Sequence, residues 1–190
     1  ASGKEECWFV VNADPGAVLG IGTTKPLSST ELRAASESGE IEHLMDWKPV
    51  KAGAFFYIPA GTVHAIGAGV TLVEVQQYAD ITYRLYDYGR PRALHLDDGV
   101  DVSNAEPYAD ARSGNVDAGP LIVDSTHFHL RHVTDAGQLS DIPIDAQLAL
   151  IPVEGTVFVE EGSVDVGDCV IFDALPNIAF GDGAKLLIVW

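Results

Sequence analysis

Gly53, Pro59, Gly61 and His64 stand at the spacing G(x)5PxG(x)2H, the first pattern in this 190-residue chain that could do chemistry. Gly53 can turn the chain into a strand, Pro59 and Gly61 make the next turn, and the following strand carries His64 inward. An imidazole presented in that way suits a borderline divalent metal. Taken alone, the same histidine reads more readily as a satisfied core residue of a metal-free barrel. Arg84, Arg90 and Arg92 form a local positive cluster able to bind a small phosphorylated molecule, although the chain as a whole is acidic. His127 and His129 in the HFH stretch suit a metal less well, because strand alternation turns Phe128 and Leu130 inward and leaves both histidines on the outer face.

The glycine, proline and histidine spacing resembles the second motif of the cupins. Three segments in order, GKEECWF at Gly3 to Phe9, PAGTVHAIG at Pro59 to Gly67 and LVEVQQYADITYRLYDYGR at Leu72 to Arg90, resemble the type I mannose-6-phosphate isomerases of that superfamily. The HLDD stretch from His95 is also similar, and the resemblance covers most of Gly3 to Val102, with a looser match beyond. It implies a zinc-dependent interconversion of mannose 6-phosphate and fructose 6-phosphate through a cis-enediol, with one ion per chain in the complete protein and an ion absent or weakly held where only two of its ligands are present. Carried over position by position, it makes Glu6 and His64 metal ligands, Lys4 a cation on the substrate side, and Glu74 and Arg84 the active-site carboxylate and arginine. The base is left open between Glu74, Lys4 and a residue elsewhere. A Gln and a His from a QxH segment complete the zinc site in the family, and that segment is expected upstream of Ala1. Lys4 could instead be a solvated strand-end lysine, and Glu74 with Arg84 an internal ion pair. Asp80 and Asp87 read as turn and loop residues. Glu6 and Trp8 share one strand face and Glu5 and Cys7 the other, which sends Glu5 toward solvent.

Short runs of aromatic and β-branched residues bounded by Gly, Pro or Asp predict strands over 6–11, 54–58, 70–75 and 82–86. Ser28 followed by Glu31 forms a capping box for a helical tract with apolar residues at Leu32, Ala35, Ile41, Leu44 and Met45, which Gly39 breaks in two. Further strands are expected at 126–133, 146–151, 156–160, 169–172 and 185–190. PVKAGAFFYIPAG and SVDVGDCVIFDAL echo each other, so the fold expected is mainly β, two cupin-like jelly-roll barrels with a short helical insertion. The first, N-terminally incomplete barrel is expected over 1–103, a polar linker over 104–119, and a metal-free second barrel over 120–190. In the second, alignment on Gly167 puts Ile178 at the position of His64.

The net charge of −17, from 28 acidic and 11 basic residues, with no basic stripe, excludes nucleic acid as a partner. No run is long and apolar enough for a membrane span and no signal peptide is legible at the start, so a cytoplasmic protein without a membrane partner is expected. Cys7 and Cys169, distant and outside any CxxC, read as reduced thiols. Homo-oligomerisation is left open. The alternative to an isomerase is a non-catalytic cupin module, sugar-binding or structural, with an incomplete metal site.

Overall fold

Glu6 begins the strand around which the first half of the molecule is built. In the computed structural model, which describes residues 2–116 and 122–190, the chain forms two compact units, Ala1–Asn115 and Val116–Trp190. The expected start of a second barrel at residue 120 lies outside the described residues.

In the first unit β1 (Glu6–Ala13), β2 (Val18–Thr23), β3 (Met45–Pro49), β4 (Ala54–Ile58), β5 (His64–Ile66), β6 (Val70–Gln76) and β7 (Gly114–Asn115) form two antiparallel sheets. One has the order β6-β1-β4-β7 and the other β3-β2-β5. Trp8, Val10 and Ile58 of the first sheet meet Leu19 and Ile21 of the second in a shared core, the arrangement of a two-sheet β-sandwich. Cys7 and Phe9 on the other face of β1 are buried too, which explains why the strand reads as a continuous apolar run rather than an alternating one. Glu5, expected in solvent, is instead partly buried, and its carboxylate accepts the Tyr57 hydroxyl hydrogen. Burial, with Glu5 beside it, pushes the Tyr57 hydroxyl up to about 12.

The helical tract lies where expected, as α1 (Ser29–Ser38) and α2 (Ile41–Leu44). The Ser28 and Glu31 capping box is present in both directions, and Gly39 ends α1 in the left-handed conformation. A further helix, α3 (Leu96–Val102), packs Val100 with Leu32, Ala35, Ile41, Met45 and Val63. The strand expected at 82–86 is absent. There the Arg84 backbone bonds one residue instead of a sheet neighbour: its N–H donates to His95 Nδ1 at 3.1 Å and its carbonyl accepts from the His95 N–H at 2.8 Å. Along the segment expected as a linker, the Asn104 N–H bonds Gly61 O at 2.7 Å, Pro107 bridges Gly22, and β7 pairs with β4.

The second unit contains β8 (Ile122–Asp124), β9 (His129–Val133), β10 (Leu148–Glu154), β11 (Thr156–Val159), β12 (Gly162–Asp165), β13 (Val170–Phe172), β14 (Ala179–Phe180) and β15 (Lys185–Val189). A five-stranded sheet of order β13-β10-β15-β9-β8 and a three-stranded sheet of order β12-β11-β14 enclose Leu148, Leu150, Leu186, Ile188, Val157 and Val164. Ile178 belongs to this core. Phe128 and Leu130 are buried, whereas His129 is half-exposed and pairs with Asp124.

Candidate active site

A cavity of about 490 Å³ opens in the first unit, and Lys4, Glu6, His64, Glu74 and Arg84 all line it. The strand order accounts for the convergence. Trp8 pairs with Glu74 across β1 and β6, so Glu6 and Trp8 present their side chains on the same sheet face as Glu74. His64 opens β5 in the facing sheet. Gly61 sits at φ 86°, and a Cβ there would lie 2.6 Å from Val102 O, so the turn before His64 requires glycine. Gly3 makes a second close approach, since its Cβ would lie 2.8 Å from the Gly61 backbone nitrogen. The GKEE and PAG segments, separate in sequence, thus touch backbone to backbone.

Glu6 is 1% exposed, and its two oxygens are used differently. Lys4 Nζ donates to Oε2 at 2.6 Å, while His64 Nε2 lies 3.4 Å from Oε1. His64 Nδ1 lies 2.8 Å from the Thr62 carbonyl oxygen. A carbonyl can only accept, so Nδ1 carries the hydrogen, and in the neutral ring Nε2 turns its lone pair toward Glu6. Two electron-pair donors that face one another in this way are suited to a shared cation. A buried carboxylate and an oriented imidazole fit zinc as two of its ligands. Among the described residues no third His, Cys, Asp or Glu joins them.

Lys4 also donates to Gln76 Oε1 and lies 3.5 Å from Glu74 Oε1. The Trp8 indole N–H donates to Glu74 Oε2 at 3.1 Å, and the same ring meets the His64 imidazole edge-on, with centroids 5.2 Å apart. The ion pair that forms is therefore Lys4 with Glu6 and Glu74. Arg84 turns its guanidinium to the Ala93 carbonyl oxygen at 3.2 Å, and no carboxylate of the described residues lies within salt-bridge distance of it. Sequence reasoning passed over Gln76 and the positioning contacts of Trp8. Both lie two residues from a candidate, Gln76 from Glu74 and Trp8 from Glu6, so the strand period of two was the available signal. The aromatic wall of Trp47, Tyr86 and Tyr88 had no such signal.

Of the three clustered arginines, Arg84 and Arg92 line the cavity. Arg90 and Arg92 both reach Asp87, which is 5% exposed at its side chain and is held below the usual carboxylate range chiefly by its hydrogen bonds from Arg92. Asp87 is thus the hub of the basic cluster rather than a simple loop residue.

A two-sheet, mainly β body whose cavity holds a facing carboxylate and imidazole is compatible with a metal-binding cupin-like fold. No protein-family model matches the chain. It is 48% identical over 106 residues to the mannose-6-phosphate isomerase of Streptococcus mutans, a match of 53% of this chain and 33% of that protein. It is 44% identical over 109 residues to a mannose-6-phosphate isomerase of Bacillus subtilis, again over 53% of this chain and 33% of the relative. The crystal structure of the mannose 6-phosphate isomerase from Bacillus subtilis superimposes with a TM-score of 0.73 at 27% identity, covering 98% of this chain and 64% of that one. A mannose 6-phosphate isomerase structure bound with zinc and yttrium shares the fold, with a TM-score of 0.62 at 16% identity over 98% of this chain and 66% of that one. The chain spans about a third of the length of the curated relatives it matches. The resemblance to the type I mannose-6-phosphate isomerases, read from three short segments, is borne out by these relatives, as is the mainly β, cupin-like fold.

Proposed function

We propose that the cavity of the first unit interconverts mannose 6-phosphate and fructose 6-phosphate. The observation that carries this reading is the convergence of Lys4, Glu6, His64, Glu74 and Arg84 on one cavity beside an oriented donor pair. Glu6 and His64 would hold zinc, which supplies Lewis-acid polarisation of the sugar oxygens when bound.

The reaction moves a proton from C2 of the aldose to C1 of the ketose, and a second proton from the C2 oxygen to the C1 oxygen. Glu74 takes the C2 proton at a carboxylate oxygen and returns it to C1 of the enediol. Trp8 fixes the carboxylate through Oε2, and Lys4 holds it near Oε1. Arg84, which no carboxylate of the described residues holds in a salt bridge, places a fork of donors where enediolate charge develops. Lys4 serves the ring oxygen or the hydroxyls during opening and binding. The half-buried aromatic wall limits water around the reacting carbons.

The experiment that tests this reading is Arg84→Lys in the zinc-loaded protein. If Arg84 acts on the transition state, kcat falls by roughly 10²-fold while Tm stays put. A stable, fully active variant would remove Arg84 from the machinery. Binding of mannose 6-phosphate without turnover would favour the non-catalytic sugar-binding module, and no binding at all the structural one.

A further inference from the structure

The turn that carries Asp87 is strained in a way its neighbours are not. The Arg90 N–H bonds the Asp87 carbonyl oxygen at 2.9 Å, and the two residues between them, Tyr88 and Gly89, have φ of 53° and 72°. Positive φ at both central positions is the geometry of a type I′ turn. Tyr88 is the one non-glycine residue with positive φ among the described residues. A bulky side chain in that region is disfavoured and persists where the surroundings hold it in place. Here the Tyr88 ring packs on Tyr86 with centroids 5.2 Å apart, and the Arg90 guanidinium lies 5.5 Å above it.

The turn folds the chain back so that two later arginines meet one earlier carboxylate. Arg92 grips Asp87 at both oxygens, with Nε donating at 2.5 Å to Oδ2 and Nη2 donating to Oδ1, while Arg90 Nη2 lies 3.1 Å from Oδ1. Two guanidinium groups thus hold one buried carboxylate, a local excess of one positive charge in a chain of net charge −17. Two like charges gather so closely only where an anion offsets part of their repulsion. Asp87 offsets one charge, and Arg92 reaches the cavity wall.

We infer that Asp87 is a positioning residue that fixes the Arg92 guanidinium at the cavity wall, where it receives the phosphate of a phosphorylated substrate. This rests on the reading of the cavity as a sugar-phosphate site. Asp87 touches no substrate. It acts by holding the Arg92 donor fork in place.

The sign of one substitution separates this role from simple charge balance. If Asp87 only neutralised its neighbours, Asp87→Asn would raise the local positive charge and tighten anion binding. If it positions Arg92, the loss of one oxygen from the two-point grip frees the guanidinium and weakens binding. The test is calorimetric titration of the full chain with mannose 6-phosphate, inorganic phosphate and unphosphorylated mannose. Asp87→Asn is expected to weaken mannose 6-phosphate binding by about 10-fold, the scale of one lost positioned charge contact, with mannose unaffected. A parallel loss for inorganic phosphate shows that the corner receives the phosphate itself. Loss for the sugar phosphate alone overturns a phosphate corner. Unchanged or tighter binding of both overturns the role of Asp87. Should Asp87→Asn fail to fold, Arg92→Lys decides, because it keeps the charge but cannot be held at two points. Weakened phosphate binding then supports the inference, and wild-type affinity overturns it. A wild-type chain that binds neither anion overturns the sugar-phosphate reading along with it, whereas binding that survives both substitutions overturns Asp87 alone.

Discussion

Trp8 and Glu74 face one another across β1 and β6 and are joined by an indole N–H donating to carboxylate Oε2 at 3.1 Å. The tryptophan is 1% exposed, so the hydrogen bond anchors a cavity-lining carboxylate to the rigid core. Trp8→Phe keeps an aromatic ring but removes the donor and part of the indole volume. It is expected to cost about 2–3 kcal/mol in urea unfolding, one hydrogen bond and a small void, whereas Trp8→Ala should cost about 3–5 kcal/mol through the larger void it leaves. Turnover of the zinc-loaded protein should fall in both. A Trp8→Phe variant equal to wild type in turnover would show that Glu74 needs no anchor.

Zinc should depend on the two facing donors. Titration followed by dialysis and elemental analysis is expected to show zinc affinity lowered at least about 10-fold in Glu6→Gln and in His64→Ala, since even outer contacts of a metal site carry that much. Equal zinc retention in wild type and both variants would place the ion elsewhere.

The two thiols should differ in reactivity. Cys7 is buried and its thiol is pushed up to about 12, chiefly by burial, while Cys169 is exposed. The thiolate is the reactive form, so native protein treated with iodoacetamide at pH 8 should be modified at Cys169 alone, and at both thiols after denaturation. Rapid native modification of Cys7 would contradict the buried strand face.

Acid should weaken one contact in the first unit. Asp110 accepts two hydrogen bonds from the Arg112 guanidinium, at 2.9 and 2.6 Å, and one from the Arg112 backbone N–H at 2.8 Å, and the guanidinium in turn lies 3.3 Å over the Tyr57 ring. Arg112 holds the Asp110 carboxyl below its ordinary range. A folded-state value below the unfolded one contributes stability that is fully present above the unfolded value, about pH 4, and is lost as pH falls through the folded value. The gap in Tm between wild type and Asp110→Asn should therefore be steady above about pH 4 and shrink below it. A gap that persists unchanged at pH 2 would show that the pair contributes nothing electrostatic.

How much of this was legible beforehand depended on how local each signal was. The capping box at Ser28 and Glu31, the C-cap at Gly39 and the runs at β1, β4 and β6 are short-range signals, and the structure has each of them. The strands β2 and β3 were missed because VLGIGT carries two glycines and MDWKP carries two charges, and both depend on the pairing they make rather than on propensity. The aromatic run at 82–86 reads as a strand by composition, yet its backbone is satisfied by His95, a partner no periodicity reveals. His64 stood out through motif spacing, which reflects a turn that Gly61 makes obligatory, whereas Lys4, Glu6, Glu74 and Arg84 were implied only by the resemblance of three segments to a known family. Asp87 was not legible, since its importance comes from arginines brought back onto it by a turn with Tyr88 at positive φ.

The most direct measurement is proton NMR of the zinc-loaded protein with mannose 6-phosphate in deuterated water. Fructose 6-phosphate should appear, with deuterium entering at C1 of the ketose or C2 of the recovered aldose as the proton on Glu74 exchanges with solvent, and Glu74→Gln should abolish the exchange. A C2 proton that stays in place with no ketose formed, in protein shown to hold zinc and bind the sugar phosphate, would contradict an isomerase site in this cavity.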